Sequence, residues 1–451
     1  YNTTNIQMTG AEARGSREVF SLPGGAAMLG VGVEARKYSY EVVANSAVAN
    51  GEILFDDIQA QYDLSRKSSG AFAELVMPVM KSLEVTAAAR FDSISGVTDA
   101  RDSNKKYGST QDATTYKLSG RYSPTKELVT RASYGTGFRS ATMLEIAQPQ
   151  VDFGVTGGTF NCPFSASYDP LGYLAKGYLC ARGQQEVFNG GNPDLKPEKS
   201  KQWTIGFVFE PSPAFSMGMD LWSVEIRDAV TRPDEALILG NPAKYLSSYT
   251  TKFKASANET YVAIKQVPIN IGRTQNQGVD WDFRSRSKLD IGTLQARIAG
   301  TYLIKSRYTT PGTDDQWETS LDRFGSNQAV SFRNVIAASA SLETGAWTNT
   351  LSMNFRNGYR DMLHDAANCA VDDKDGNCVE THLMVPSYRT FDWQTKWNAM
   401  KGLNVTLGIT NLTDEKPPFS LRNTGSHQLG YDPRYASPYG RTYYLSASYA
   451  F

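Results

Sequence analysis

The last eleven residues of the chain, Arg441-Thr-Tyr-Tyr-Leu-Ser-Ala-Ser-Tyr-Ala-Phe451, carry its most informative pattern. Tyr443, Leu445, Ala447, Tyr449 and Phe451 recur at every second position, which predicts a β-strand with one apolar face. That face includes the terminal residue itself, which is typical of the closing strand of an outer-membrane β-barrel, whose outer side meets lipid. An edge strand of a soluble β-sandwich is the alternative for this segment taken alone.

Length and composition narrow the class of protein. The chain has 451 residues and no Pro/Gly/Ser-rich linker, so we treat 1–451 as one domain. Its 46 basic residues balance 46 acidic ones, which gives no sign of a nucleic-acid partner. No run of eighteen apolar residues occurs, which excludes a helical membrane protein. The 38 Gly, 24 Tyr, 20 Phe and 7 Trp suit the tight turns and aromatic girdles of a barrel.

The alternation of apolar and polar residues recurs in many segments. A barrel wall places one side of each strand against lipid and the other against a wet interior. We expect these residues to face lipid: Trp203, Phe207, Trp281, Phe355, Trp393, Val405, Leu407 and Phe451. We expect these to face the lumen: Lys117, Arg121, Arg131, Asp280, Asp282 and Arg284. Within 217–226 the apolar residues change phase, which we interpret as a β-bulge or an exit from the membrane.

The connections between these segments alternate between short and long. Short links lie near 23–25, 77–82, 123–126, 211–213, 287–290, 343–345 and 398–402. Long polar segments lie near 38–66, 93–112, 139–198, 230–272, 307–328, 361–386 and 414–439. Barrels place short turns on the periplasmic side and long loops outside, whereas soluble domains rarely carry so many long loops. The pattern predicts an all-β transmembrane antiparallel barrel of about fifteen strands, the first near Glu18–Leu22.

The four cysteines fall in two local pairs inside polar loops. An even count with close pairing favours disulfides and an oxidising compartment. The predicted bonds are Cys162–Cys180 and Cys369–Cys378, both on the side of the barrel away from Phe451. A zinc site is the alternative for the second pair, because His364 and His382 flank it.

Four motifs, taken in order, point to a family. They are Tyr134-Gly-Thr-Gly-Phe-Arg-Ser140, Asn192-Pro-Asp-Leu-Lys-Pro-Glu-Lys-Ser200, Ile409-Thr-Asn-Leu-Thr-Asp-Glu-Lys-Pro-Pro418, and the pair Gly430-Tyr-Asp-Pro-Arg434 and Gly440-Arg-Thr-Tyr-Tyr444. In this order they resemble the C-terminal two-thirds of TonB-dependent outer-membrane receptors. The resemblance covers nearly the whole chain. The motifs themselves have structural roles, because their prolines and Asn/Asp residues end strands and hold extended segments.

The resemblance implies a barrel of 22 strands with an N-terminal plug domain and a TonB box that couples to the inner-membrane TonB complex. Such a receptor lies in the outer membrane of a Gram-negative bacterium, among lipid and lipopolysaccharide. It binds a scarce nutrient, such as a siderophore, cobalamin or saccharide, and imports it. This chain would supply about fifteen of those strands and no plug. Its start at Tyr1, without an initiator Met or signal peptide, also indicates a piece of a longer protein. A passive porin-like channel is the alternative function.

Aromatic residues of the long loops are the candidate ligand contacts, because aromatic faces suit ring-bearing ligands and sugars. They are Tyr168, Tyr173, Tyr178 and Phe188 in segment 139–198, with Tyr308 and Trp317 in a second loop. The competing interpretation is that these rings pack the loops against one another.

The sequence predicts neither an enzyme nor a metal site. An outer-membrane hydrolase would need a histidine paired with a nucleophile at a strand end, but the three histidines lie in predicted loops. Segment 371–377 resembles a calcium loop, yet Val371 occupies the first ligand position and no Glu follows at the twelfth. We interpret it as a solvated acidic loop tip. No cofactor is implied.

Overall fold

Fifteen antiparallel strands in chain order form one continuous sheet. The computed structural model describes residues 2–50, 52–53, 61–309, 316–325, 327, 329–364, 371–421, 423–424, 427–428 and 430–450. The wall strands are β1 Thr3–Leu22, β2 Gly25–Val43, β3 Tyr62–Met80, β4 Leu83–Ile94, β5 Gln111–Tyr122, β6 Leu128–Arg139, β7 Glu198–Ser212, β8 Phe215–Arg227, β9 Arg273–Leu289, β10 Gly292–Thr309, β11 Asn334–Thr344, β12 Trp347–Arg356, β13 Tyr388–Met400, β14 Leu403–Thr410 and β15 Thr442–Tyr449.

Each wall strand pairs with its neighbours in chain order, so β2 to β14 have two partners each and the end strands β1 and β15 have one. Seven short turns alternate with seven long connections, so the strand number and the alternation predicted from sequence are confirmed. The short turns and the end of β15 therefore share one rim of the sheet, and the long loops share the other. The sheet is not closed into a barrel: in the described chain, β1 pairs along its length only with β2, and β15 pairs only with β14.

The first strand begins earlier than the sequence predicts. It starts at Thr3 rather than near Glu18 and pairs with β2 from Thr3–Val43 to Leu22–Gly25. Gly10 and Gly15 interrupt the alternation of apolar and polar residues before Glu18, so the sequence pattern there is too weak to detect. The backbone ladder with β2, rather than an apolar stripe, defines this part of the strand.

The strand register separates two faces of the sheet. Residues directly opposite in an antiparallel pair lie on the same side, and Phe207 is opposite Met219, which is opposite Trp281. Extended across the sheet, the register places the seven described residues of the predicted lipid-facing set on one side, the apolar face. The six predicted lumen-facing residues lie on the other, the charged face. Phe451 lies outside the described residues.

The phase change within β8 is not a β-bulge. The pairing of β8 with β9 runs without a register shift from Phe215 to Arg227, so the bulge interpretation is wrong. Trp222 instead lies on the charged face, with its ring over Gly278, where an added Cβ would lie 2.9 Å from the ring. The apolar residues therefore change face toward the loop rim while the strand stays regular.

The charged face carries ion pairs that span three strands. Arg131 on β6 donates from Nε to Asp220 Oδ1 on β8, at 2.8 Å. Gly206 of β7 stands between them, paired with both. A Cβ at that position would lie 2.2 Å from Asp220 Oδ1. Because Gly206 has no side chain, the ion pair between Arg131 and Asp220 can pass over this position.

The long connections contain short elements of their own. The helices are α1 Ser46–Ala49, α2 Met143–Ala147 and α3 Glu235–Gly240, with a 3-10 turn at Leu246–Ser248. The loop strands are Val97–Asp99, Lys105–Tyr107, Val151–Val155, Glu186–Asn189, Val230–Thr231, Tyr249–Lys254, Glu259–Gln266, Ile269–Asn270, Trp317–Thr319, Tyr359–His364, Thr381–Val385, Asn423–Thr424 and His427–Gln428. Among the described residues, three clusters of buried apolar side chains lie in these loops and at the adjoining strand ends. In the described chain no helix is both long and apolar enough to cross a membrane.

The assignment of the two faces can be tested with spin labels in the full-length protein. Leu407→Cys lies on the apolar face and its neighbour Thr406→Cys on the charged face. A label at 407 should collide readily with dissolved oxygen and poorly with a water-soluble nickel complex, because lipid concentrates the first and excludes the second. The label at 406 should show the lower ratio of oxygen to nickel accessibility. Equal ratios at the two sites would contradict a lipid-facing apolar side.

Candidate ligand-binding loops

The longest loop is closed at its base by Arg139. This residue ends β6 opposite Glu198, which begins β7, and its guanidinium contacts Glu198 at 2.7 Å and Glu145 at 2.9 Å. Glu145 also completes a capping box with Thr142 at the start of α2. Glu198 accepts a further hydrogen bond, 2.7 Å long, from the backbone of Val230 in the next long loop. Two sequence motifs, 134–140 and 192–200, thus meet at one ion-pair cluster.

The charge of Glu145 stabilises this base. Burial alone would raise the pKa of Glu145, but hydrogen bonds from Arg139 and Thr142 hold it below the usual value for glutamate. A carboxylate whose pKa is lowered in the folded state contributes stability above its unfolded pKa. That contribution is lost as the pH falls through the folded pKa.

Two long loops form a joint folded unit. We call residues 140–197 and 228–272 the loop domain. Strand Glu186–Asn189 of the first loop runs parallel to Glu259–Gln266 of the second, within a sheet of four short strands. The buried carboxylate of Glu186 contacts Lys252 Nζ at 2.7 Å and also contacts Lys254. Charged and backbone contacts therefore hold the two loops together.

The predicted disulfide Cys162–Cys180 is present, with a Cα–Cα distance of 5.3 Å. Both cysteines pack against the apolar cluster of the loop domain, which includes Phe164 and Tyr249. Predicted ligand contacts pack there too: the Tyr173 ring lies 6.0 Å from Phe164 and 5.7 Å from Tyr178, and Tyr168 lies 6.3 Å from Phe164. Packing of loop against loop accounts for these positions. Phe188 is half-buried beside the fully buried Val187.

A cavity of about 510 Å³ lies where the loop domain meets the ends of β9 and β10. Its lining includes Arg232, Ile271, Arg273 and Tyr308. Tyr308 is buried, and its hydroxyl accepts a hydrogen bond from the backbone of Asn327 at 3.3 Å. Of the predicted ligand contacts, this tyrosine is the one that lines the cavity.

Trp317 lies next to this cavity with two arginines over its ring. The guanidinium carbon of Arg307 is 4.2 Å from the ring centroid and that of Arg273 is 5.2 Å away. Arg307 also donates to the side-chain oxygen of Gln275 at 2.8 Å.

The charge of the cavity comes mainly from arginines. Among the described residues, Arg232, Arg273 and Arg307 form no ion pair. Asp234 also lines the cavity, but its carboxylate caps α3 at the amide of Leu237. The cavity lining therefore carries two guanidinium groups and one carboxylate, and the Trp317 ring with Arg307 lies beside it.

The family described as TonB dependent receptor-like, beta-barrel, matches residues 1–412. The chain belongs to this family. Its members are transport receptors of the Gram-negative outer membrane, and their apolar outer wall meets lipid. No curated protein matches the chain significantly.

Solved receptors of this kind share the fold. The siderophore receptor PirA from Acinetobacter baumannii superposes with a TM-score of 0.64 at 13% identity, covering 100% of this chain and 55% of that one. The ferric enterobactin receptor PfeA from Pseudomonas aeruginosa gives 0.66 at 13%, covering 99% and 55%. The ferric citrate transporter FecA gives 0.57 at 16%, covering 99% and 55%. The chain thus spans about 55% of the length of these receptors, and identities this low show the fold alone.

The remaining sequence predictions fall on other loops of this receptor barrel. Cys378 is disulfide-bonded, and Cys369, its predicted partner, lies outside the described residues. Where the chain is described, no group of three His, Cys, Asp or Glu residues could hold a metal ion. In segment 371–377, Asp373 uses its carboxylate to accept the backbone amides of Asp375 and Asn377 at 2.9 and 2.8 Å. These bonds lower the pKa of Asp373.

Arg139→Gln should loosen the base of the loop domain in the full-length receptor, because Glu145 and Glu198 both lose a charged donor. We expect hydrogen exchange at α2 to become roughly tenfold faster near neutral pH, the factor given by about 1.4 kcal/mol. The difference should shrink below about pH 4, where glutamate ordinarily takes up a proton. Arg121→Gln is the control, because Arg121 makes no ion pair with a described residue. Equal exchange at α2 in Arg139→Gln and Arg121→Gln would contradict this role.

Replacing both Cys162 and Cys180 by Ser should destabilise the loop domain by roughly 3 kcal/mol, the loop-entropy estimate for a closed loop of this length. Limited proteolysis should then cut between these positions, while the barrel keeps its heat-modifiable migration in electrophoresis. An unchanged cleavage rate would show that the apolar cluster alone holds the loop.

Proposed function

We propose that this chain is the C-terminal part of an active-transport receptor that binds a scarce nutrient at its outer loops and admits it under TonB-derived energy. The observation that carries this proposal is the cationic cavity under a folded loop domain at the long-loop rim of a receptor barrel. A fixed cavity loses little conformational entropy when a ligand enters. Family membership supports import rather than catalysis, and neither the family nor the solved relatives support the porin alternative.

The cargo we propose is an anionic metal chelate, such as a ferric siderophore. PirA, PfeA and FecA are named for a siderophore, ferric enterobactin and ferric citrate. In this chain, Arg232 and Arg273 line the cavity and Arg307 lies beside Arg273 over the Trp317 ring, and none of the three has a carboxylate partner among the described residues. Planar guanidinium groups suit carboxylate and catecholate oxygens, and Trp317 offers a ring face. Neutral saccharides would gain little from these charges.

Partners of the whole receptor follow from the same proposal. A plug domain and a TonB box, outside this sequence, would fill the lumen and engage the TonB complex. The charged face would meet the plug through the set that contains Lys117, Arg121, Arg131, Asp280, Asp282 and Arg284. Water can replace such polar contacts when the plug moves. Lipid and lipopolysaccharide would surround the apolar face.

Arg273→Gln and Arg307→Gln, introduced one at a time into the full-length receptor, test the cargo class. Each should weaken binding of a ferric chelate roughly tenfold, since a hydrogen bond to a charged group contributes about 1.5–3 kcal/mol. Binding can be followed by quenching of intrinsic fluorescence with ferric enterobactin and ferric citrate as probes.

Arg286→Gln is the matched control, because Arg286 lies on the charged face near the short-turn rim, far from the cavity. Its Kd should equal that of the unmodified receptor. Unchanged Kd values for Arg273→Gln and Arg307→Gln would place the site elsewhere. Binding of neither chelate by the unmodified receptor would remove the proposed cargo class.

A further inference from the structure

The apolar face is not uniform: it contains a groove of about 420 Å³. Three alanines on neighbouring strands line its floor, Ala296 on β10 and Ala338 and Ala340 on β11. Phe215 and Phe283 stand on one side, and Leu351 and Met353 on the other.

The strand register explains this shape. Ala296 is opposite Ala340, which is opposite Leu351. Ala338 is likewise opposite Met353. Ile298 on β10 is opposite Ala338 and also lines the groove. Alanines thus occupy three of the four floor positions on β10 and β11, while larger side chains occupy the strands beyond. The flanking strands β9 and β12 lie three strand spacings apart, roughly 14 Å. The side chains of the flanking strands fill part of this width. The width that remains suits one hydrocarbon chain, because its carbons pack at about 4 Å from the carbons of the protein.

A pair of tryptophans fixes the depth of the groove in the membrane. Trp347 and Trp397 stack with their ring centroids 5.4 Å apart, at the short-turn end of the same face. Tryptophans of membrane proteins concentrate at the boundary between lipid and water. Leu351 follows Trp347 by four residues, roughly 13 Å along the strand, or about 10 Å along the membrane normal for a strand tilted by about 40°. The groove therefore lies within the hydrocarbon of the periplasmic leaflet, which is about 15 Å deep.

We propose that this groove binds one acyl chain of a phospholipid from the periplasmic leaflet. It is continuous with the apolar wall, lies at acyl-chain depth, and offers contacts from its floor and from the larger side chains on both sides. Extra carbon contacts distinguish a retained chain from the lipids that exchange around it.

A second copy of the chain fits the groove less well. A twofold interface places the same patch of both copies face to face. Two concave patches on that axis would enclose an empty space rather than fill it. An acyl chain is not bound by this symmetry and can fill the concave groove.

Photolabelling of the full-length receptor tests this site. The protein is placed in vesicles of phosphatidylethanolamine and phosphatidylglycerol that contain a trace of phosphatidylethanolamine with a diazirine on one acyl chain. We expect labelling at Leu351 and Met353 to exceed labelling at Leu118, an exposed residue of the same face on β5, by roughly fivefold, the ratio given by about 1 kcal/mol.

Filling the groove with Ala338→Phe/Ala340→Phe should reduce that excess to the level at Leu118. The matched control Ala71→Phe/Ala73→Phe makes the same change on the apolar face of β3, two strands away from Leu118, and should leave it intact. Equal labelling of the three sites in the unmodified receptor would overturn the proposal, whether or not the filled variant folds. An excess that survives filling, or cross-links between receptor copies at Met353, would overturn it as well.

Discussion

Backbone hydrogen bonding is the constraint on which the rest of this structure depends. Lipid offers no partner for a peptide N–H or C=O, so each wall strand must pair with its neighbours. A meander meets this demand with turns of two to five residues at one rim. Once the ladder is fixed, so is the register, and the register decides which side chains share a face. The apolar and charged faces are therefore consequences of one pairing scheme.

Glycines allow the charged face to be cross-linked over more than one strand. Arg90 on β4 reaches Glu34 on β2 across Gly70 of β3, where a Cβ would lie 2.6 Å from the guanidinium. The bridge over Gly206 repeats this arrangement on the other side of β5. On the apolar face, small residues have a different consequence, because they leave a recess in the lipid-facing wall. Small residues thus have two effects: glycines on the charged face make room for ion pairs, and alanines on the apolar face make room for a hydrocarbon chain.

Sequence periodicity predicts the parts of this fold that local pattern controls. It places the turns, the number of wall strands and the separation of Asp280 from Trp281 onto opposite faces. Periodicity does not predict the face of Trp222, because packing of its ring over Gly278 of the neighbouring strand overrides the alternation. The loop domain could not be predicted, since it depends on contacts such as Glu186–Lys252 between segments far apart in sequence. Whether an aromatic residue such as Tyr173 packs or faces a cavity is decided by those contacts.

The central claim is that this wall belongs to an energised receptor rather than an open pore. Uptake of a radioactive ferric chelate by cells that carry the full-length protein tests it most directly. The account predicts saturable uptake that stops when TonB is removed, because a plug held by the charged face must be displaced for each molecule admitted. Uptake that continues without TonB and rises linearly with concentration would contradict it.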